Sequence, residues 1–158
     1  MSGRLSALTY QHNTYDRRIQ LGASRRRRED AEALYDARRW TGSVYLGGYA
    51  IECSLCALIC YQVGKNNLKE TRLFKDGLQG ASLHNLIRLL GALPSVQRKI
   101  ELDTTGKLRE AWTIITSQWQ KDALRYWDRI GDEQDSKRFI DAVKLLHSFI
   151  LRQQGEAS

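Results

Sequence analysis

The sequence predicts an all-α protein with a single helical domain. A chain of 158 residues has the length of one ordinary domain. It contains a single Pro, so long segments lack the residue that breaks helices. Apolar residues recur at spacings of three and four, and no segment shows the strict alternation of a half-buried strand. We expect a helical domain over residues 14–154, preceded by a flexible arm over residues 1–13.

The second helix, predicted over residues 41–63, is expected at the centre of the domain. Its sequence, TGSVYLGGYAIECSLCALICYQV, is apolar nearly all round, which is typical of a helix that is buried on all sides. Gly47 and Gly48 each cost on the order of 1 kcal/mol relative to Ala inside a helix. That cost is acceptable where another element approaches closely, so we expect a close contact at these glycines.

The other elements follow from capping residues, turn residues and apolar stripes. They are a first helix over residues 14–39, a polar connection over residues 64–81 with one helical turn near residues 68–74, a short helix ending near Gly91, another from Pro94 to about Leu102, a helix over residues 106–119, a turn containing KDALRYW, and a last long helix stopped by Gly155. The predicted capping residues are Asn13 or Thr14, Thr41 or Ser43, Ser82, Thr104 or Thr105, and Asp135 or Ser136.

The chain is basic, with a net charge of +7 and a pI of about 9.5. Residues 1–39 hold nine Arg against five acidic residues. The run Arg25, Arg26, Arg27 and Arg28 spreads around a helix, because successive residues are rotated by about 100°. Glu29 and Glu32 stand four residues after Arg25 and Arg28, where they can form ion pairs. Two interpretations follow: a solvated helix face, or a patch that binds an anionic partner such as nucleic acid.

The expected location is the cytoplasm, with no membrane attachment. The first 22 residues contain no apolar stretch of the kind found in signal peptides. No uninterrupted apolar run reaches the roughly 18 residues of a membrane span. The three cysteines are clustered and make a poor disulfide framework, which favours a reducing compartment.

Cys53, Cys56 and Cys60 are predicted to pack in the core rather than to bind a metal. Their i, i+3, i+7 spacing places them on one helix face. A zinc site requires a second pair of ligands near a tight turn, and the three histidines are all distant in sequence. Buried free cysteine behaves as a small apolar residue. We expect no metal and no cofactor.

Glu52 is the unusual residue of the second helix, because a carboxylate is costly in an apolar environment. It must be paired, hydrogen-bonded or protonated there. The basic residues that we consider as partners are His84, Arg88 and Arg125. A structural polar network and a functional site both fit this pattern.

Three segments resemble the HEPN domain family, whose name refers to nucleotide binding in higher eukaryotes and prokaryotes. The segments are EDAEALYDARRWTGSVYLGGYAIECSLCALI, SLHNLIRLL and LRYWDR, the last followed by a long amphipathic closing helix, and the resemblance covers about residues 18–152 in the family order. The matching residues are Gly48, Tyr49, Glu52, Cys53, Leu55, His84, Leu86, Leu89 or Leu90, Arg125 and Tyr126, while Cys56 replaces the usual Lys.

The resemblance implies an up-and-down bundle of four or five helices that commonly forms a homodimer, here of about 36 kDa from two chains of 18.2 kDa. Many members are metal-independent ribonucleases of defence or toxin–antitoxin systems, with an R-x4–6-H site. In such a site Arg stabilises charge on the phosphate and His transfers a proton. Other members lack the motif, and some act as partners of a small nucleotidyltransferase.

None of the three histidines of this chain follows an Arg at the required spacing. We therefore expect a non-catalytic HEPN-like module that dimerises and docks a partner protein, a nucleotide or RNA. Its binding residues would be Glu52, His84, Arg125 and Tyr126. The alternatives are a ribonuclease that uses His84 with Arg88 or Arg125, and a purely structural bundle.

Overall fold

A computed structural model describes residues 14–126 and 132–157. This part of the chain forms eight α-helices, two short 3-10 helices and no β-strand, so the all-α prediction is confirmed. The helices are α1 (Arg17–Asp36), α2 (Trp40–Val63), α3 (Arg72–Lys75), α4 (Leu86–Gly91), α5 (Pro94–Glu101), α6 (Lys107–Gln118), α7 (Lys121–Tyr126) and α8 (Glu133–Arg152), and the 3-10 helices are Leu68–Glu70 and Gly80–His84. The arm predicted over residues 1–13 lies outside the described residues.

Helix α2 is the centre of the bundle, as its composition predicts. It packs against α1 on one side and α8 on another, and α6 packs against α8. Fourteen residues of α2 are buried, which makes it the main contributor to the core. Gly47 lies against Phe139 of α8, where an added Cβ atom would come within 3.1 Å of the ring. The expected close approach is therefore present at this glycine.

Helix α2 is also long and apolar enough to cross a bilayer, judged by length and composition. Within the protein, 78% of its most apolar window is buried, as expected for the core helix of a bundle.

Several helices begin at other capping residues than those predicted. Asp16 caps α1, Asn85 caps α4 and Asp132 caps α8, each through a side-chain oxygen that accepts a backbone N–H. Ser82 instead lies within the 3-10 helix Gly80–His84. Ser136 is buried inside α8, where its hydroxyl lies 2.6 Å from that of Ser43. More than one Asp, Asn or Ser residue lies near each of these helix starts, and the path of the chain determines which of them caps the helix.

The segment KDALRYW was predicted as a turn, and this was wrong. Residues 121–126 of the segment form α7. A helix of six residues is too short to show a recognisable apolar periodicity. The correction matters for the site, because α7 determines which of its basic side chains faces the core.

The cysteines lie where core packing predicts. Cys56 and Cys60 are buried, and Cys53 is partly buried. Burial raises the pKa of the Cys53 thiol to about 12 and that of Cys60 to about 11, and it raises the pKa of Cys56 as well. Thiols with such high pKa values stay protonated near neutral pH and are unreactive.

Candidate functional site

Glu52 is buried on α2, with 7% of its surface exposed, and its two partners among the described residues are basic. Its Oε1 lies 2.9 Å from Nδ1 of His84 and 3.7 Å from Nζ of Lys121. His84 was among the expected partners, whereas Arg125 and Arg88 are not in contact with the carboxylate. Lys121 was missed because its segment was interpreted as a turn. On a helix, Arg125 lies one turn beyond Lys121 and therefore about 6 Å farther along the axis.

Burial and charge act in opposite directions on the Glu52 carboxyl. Burial raises its pKa, and the Lys121 ammonium and the hydrogen bond from His84 partly oppose that rise. The Lys121 side chain is itself mostly enclosed. Its ammonium lies 4.5 Å from the centre of the Tyr49 ring and 5.4 Å from that of Trp119. The Lys121 ammonium therefore also makes cation–π interactions with both rings, which stabilise its charge further.

Trp119 rests directly on Gly48 and explains that glycine. A Cβ atom at Gly48 would overlap the indole ring. The indole Nε1 donates a hydrogen bond to the carbonyl of Tyr45 at 3.0 Å, and the ring meets Tyr49 edge-on at 5.2 Å. Gly48 thus allows the residue that joins α6 to α7 to dock on the central helix, so the close contact expected at both glycines is present.

An open cleft of about 570 Å³ lies over these residues. Its volume is within the usual range of small-ligand sites. It is lined by Tyr49 of α2, Ala81 and His84 of the 3-10 helix, Trp119 and Gln120 between α6 and α7, and Lys121, Ala123 and Arg125 of α7. The surface is aromatic at the wall and basic at the rim, where His84 is half exposed.

A pair of tyrosines links the aromatic wall to Arg125. The hydroxyls of Tyr45 and Tyr49 are 3.3 Å apart. The hydrogen bond between the two hydroxyls lowers the pKa of Tyr45, and Arg125 lowers it further, while burial raises the pKa of Tyr49. The neighbouring Tyr45 hydroxyl raises the pKa of Arg125, whose guanidinium stays exposed and charged.

Two other predicted site residues lie outside the cleft lining. Arg88 is exposed on α4, and its backbone N–H is used by the cap, where it donates to Asn85. Tyr126 is 75% exposed and lies beside Arg125, with the guanidinium carbon 6.0 Å from the ring centre. Within the described residues, Arg88 makes no hydrogen bond with the His84 ring and does not line the cleft. The two residues therefore do not form the catalytic pair considered for a ribonuclease.

Three members of the arginine run are engaged in ion pairs within the chain. The pairs are Arg25–Glu156 at 3.3 Å, Arg27–Asp30 at 2.9 Å and Arg28–Glu32 at 3.9 Å. The i+4 pairing expected for Arg28 is present, whereas Arg25 pairs with the end of the chain instead of Glu29. Arg26 is exposed. The run is thereby partly neutralised, which weakens it as a patch for an anionic partner.

His147 belongs to a buried polar network that the sequence does not reveal. Its Nε2 lies 3.0 Å from Oγ of Ser24, and its Nδ1 lies 3.3 Å from Nη1 of Arg28. The Ser24 hydroxyl donates to the carbonyl of Leu21, so Nε2 is the protonated nitrogen and Nδ1 accepts from the guanidinium. Burial, with Arg28 and Arg25, lowers the pKa of His147 to about 4. The neutral ring ties α1 to α8.

Within residues 14–126 and 132–157, no group of three or more His, Cys, Asp or Glu side chains is placed to hold a metal ion. Comparison of the chain with protein-family models, curated proteins and solved structures gives no match. The resemblance to HEPN domains therefore rests on the quoted segments alone.

Proposed function

We propose that the chain is a non-catalytic HEPN-like module whose cleft binds a nucleotide or a short single-stranded segment of RNA. The observation that carries this proposal is the combination of the partly exposed Tyr49 ring with the exposed cation Arg125 in one open cleft, where Trp119 lines the wall with 7% of its surface exposed. Nucleobases stack on aromatic rings, and phosphates pair with guanidinium groups. The cleft offers both kinds of contact in its lining.

The cations of the cleft have different tasks in this proposal. Lys121 is already neutralised by Glu52, so it holds α7 against α2 and shapes the wall. Arg125 is exposed and charged and lines the cleft, so it meets the phosphate. A guanidinium forms two parallel hydrogen bonds with a phosphate, which fixes the ligand's orientation as well as its affinity.

The positions of the residues that carry the HEPN resemblance support this proposal, because they lie close together in the structure. Tyr49, Glu52, His84 and Arg125 come from three separate segments, yet three of them line the cleft and the fourth contacts His84. In this proposal the bundle is an up-and-down HEPN-like arrangement that acts as a homodimer in the cytoplasm, with a small nucleotidyltransferase as a candidate partner.

A second candidate function is a metal-independent ribonuclease of toxin–antitoxin or defence type. One observation favours it: Glu52 engages Nδ1 of His84 and leaves Nε2 as the ring nitrogen available to a ligand. His84 would then take the proton of a 2′-hydroxyl, whose oxygen attacks the phosphorus while the 5′-oxygen leaves. Arg125 would stabilise the charge on the phosphate oxygens.

One experiment separates the functions. A labelled ten-nucleotide single-stranded RNA is titrated with the wild type, Arg125→Ala and Arg72→Ala at one salt concentration, and the same samples are assayed for cleavage. Arg72 is the matched control, because it is exposed, carries the same charge and lies outside the cleft. We expect binding without cleavage, weakened about tenfold or more in Arg125→Ala and unchanged in Arg72→Ala.

The other outcomes assign the alternatives. Cleavage that is lost in His84→Ala at an unchanged melting temperature supports the ribonuclease. The absence of both binding and cleavage supports the purely structural bundle. Equal weakening in both Arg variants shows that the affinity comes from overall charge, which contradicts the cleft as the binding site.

A further inference from the structure

The central helix does not need a partner, although its composition suggests that it does. Most of α2 is buried inside its own chain. A surface for self-association must therefore lie elsewhere on the bundle. The groove between α6 and α8 has the required properties.

This groove has a volume of about 290 Å³ and is apolar along its length. Ala111 of α6 and Ala142 of α8 form its floor and are almost completely buried. Ile114 and Leu145 stand at its sides, and Leu145 is 37% exposed. The surface thus combines a shallow hole lined by alanines with a large exposed apolar side chain, which is the pairing used where helices interlock.

Four charged side chains form the rim of the groove. Lys107 and Glu110 lie on α6, and Arg138 and Asp141 lie on α8. Each helix therefore contributes one charge of each sign, and the four charges sum to zero. In the described part of the chain, none of the four takes part in an ion pair.

We propose that the groove between α6 and α8 is the surface through which two copies of this chain associate. In a two-fold contact the same patch meets itself, so the patch must be complementary to itself. The rim fulfils this condition, because it presents both signs with none used internally, and Leu145 of each copy meets the alanine floor of the other. A partner with one sign of charge, such as nucleic acid, would be repelled by half of the rim.

This inference names the surface for the self-association included in the proposed function, and it is independent of what the cleft binds. Its test uses two variants in which the rim charges are segregated. The basic variant carries Glu110→Lys and Asp141→Lys, and the acidic variant carries Lys107→Glu and Arg138→Glu. Each variant should repel itself, and the two should attract each other.

Masses are measured by light scattering at tens of micromolar chain. We expect two chains, about 36 kDa, for the wild type and one chain, 18.2 kDa, for each variant alone. An equimolar mixture should return to two chains, which also shows that both variants are folded. Segregation should weaken self-association by roughly a hundredfold. The control is Lys65→Glu with Lys75→Glu, two exposed residues away from the groove that should leave the wild-type mass unchanged.

Leu145→Asp provides a second variant, since a partly exposed position tolerates the change without unfolding. It should also be a single chain, with a circular dichroism spectrum like that of the wild type. Three results would overturn the proposal. They are a single-chain mass for the wild type, a two-chain mass for either rim variant alone, and a single-chain mass for the equimolar mixture of two folded rim variants. RNA binding by the variants reports on the cleft separately, so failure of one proposal is distinguished from failure of the other.

Discussion

Replacing His147 should remove a large part of the acid sensitivity of the fold. The ring is 1% exposed and is held neutral between Ser24 and Arg28. Its pKa is about 4 in the folded chain, compared with an ordinary value of 6.5. As the pH falls below 6.5, the unfolded chain takes up a proton on this residue while the folded chain does not. Stability is therefore present above pH 6.5 and is lost progressively down to about pH 4.

The magnitude follows from the separation of the two pKa values. They differ by about 2.5 pH units, and each unit is worth about 1.4 kcal/mol, which gives a total loss of about 3.5 kcal/mol for His147, of which about 3 kcal/mol is reached by pH 4. That is a large fraction of the 5–15 kcal/mol that typically holds a domain folded. Glu52 acts in the opposite direction, because its raised pKa means that the folded chain gains stability as this carboxyl is protonated.

The assay compares the wild type with His147→Gln, which keeps a donor for Ser24 but cannot be protonated. Urea unfolding is followed by circular dichroism at pH 7, 6, 5 and 4. The variant should be less stable at pH 7, and its deficit should shrink by about 3 kcal/mol by pH 4. Contributions from other groups, including Glu52, cancel in this difference. A deficit that is constant with pH, or an NMR titration of the imidazole near pH 6.5, would refute the reasoning.

Three further predictions concern the core beneath the cleft. Glu52→Ala leaves the Lys121 ammonium enclosed without its counter-charge, so it should lower the free energy of unfolding by about 3–5 kcal/mol. Glu52→Gln should lower it less, because the amide oxygen still accepts a hydrogen bond. Equal urea midpoints for the two variants would contradict this prediction. Gly48→Ala should displace the Trp119 indole at a cost of about 1–3 kcal/mol or more, because the added methyl group overpacks the contact, and the buried indole signal should be lost in NMR. A wild-type melting curve would disprove the contact. The Cys56 thiol should react with a thiol reagent at the rate of global unfolding, and fast labelling of this residue in the folded protein would show that it is accessible.

The sequence predicts the central helix well and its partners poorly. The composition of α2 requires burial, and the requirement that a buried carboxylate be paired points to Glu52 and to His84. The choice of Lys121 over Arg125 depends on the rotation and start of α7, which a six-residue helix does not display as a pattern. Local signals therefore predict which residue needs a partner, while the path of the chain selects the partner.

The network around His147 shows the same limit over a longer range. Helical spacing places His147 beside Leu146 and suggests an edge position with partial exposure. It is fully buried because α1 supplies Ser24 and Arg28, which lie more than a hundred residues away in sequence. No periodicity connects such distant residues, so only the packed structure reveals the contact.

The indole resonance of Trp119 tests the proposed binding function most directly. Its Nε1–H donates to the carbonyl of Tyr45 at the wall of the cleft, so it reports on a ligand there. The chain has four Trp, and the indole signal that disappears in Trp119→Phe identifies the reporter. On addition of the ten-nucleotide RNA, we expect this resonance to shift and saturate, and the shift to be much smaller at equal RNA in Arg125→Ala. A Trp119 resonance that stays in place while RNA binds, or that shifts equally in both proteins, would contradict the account.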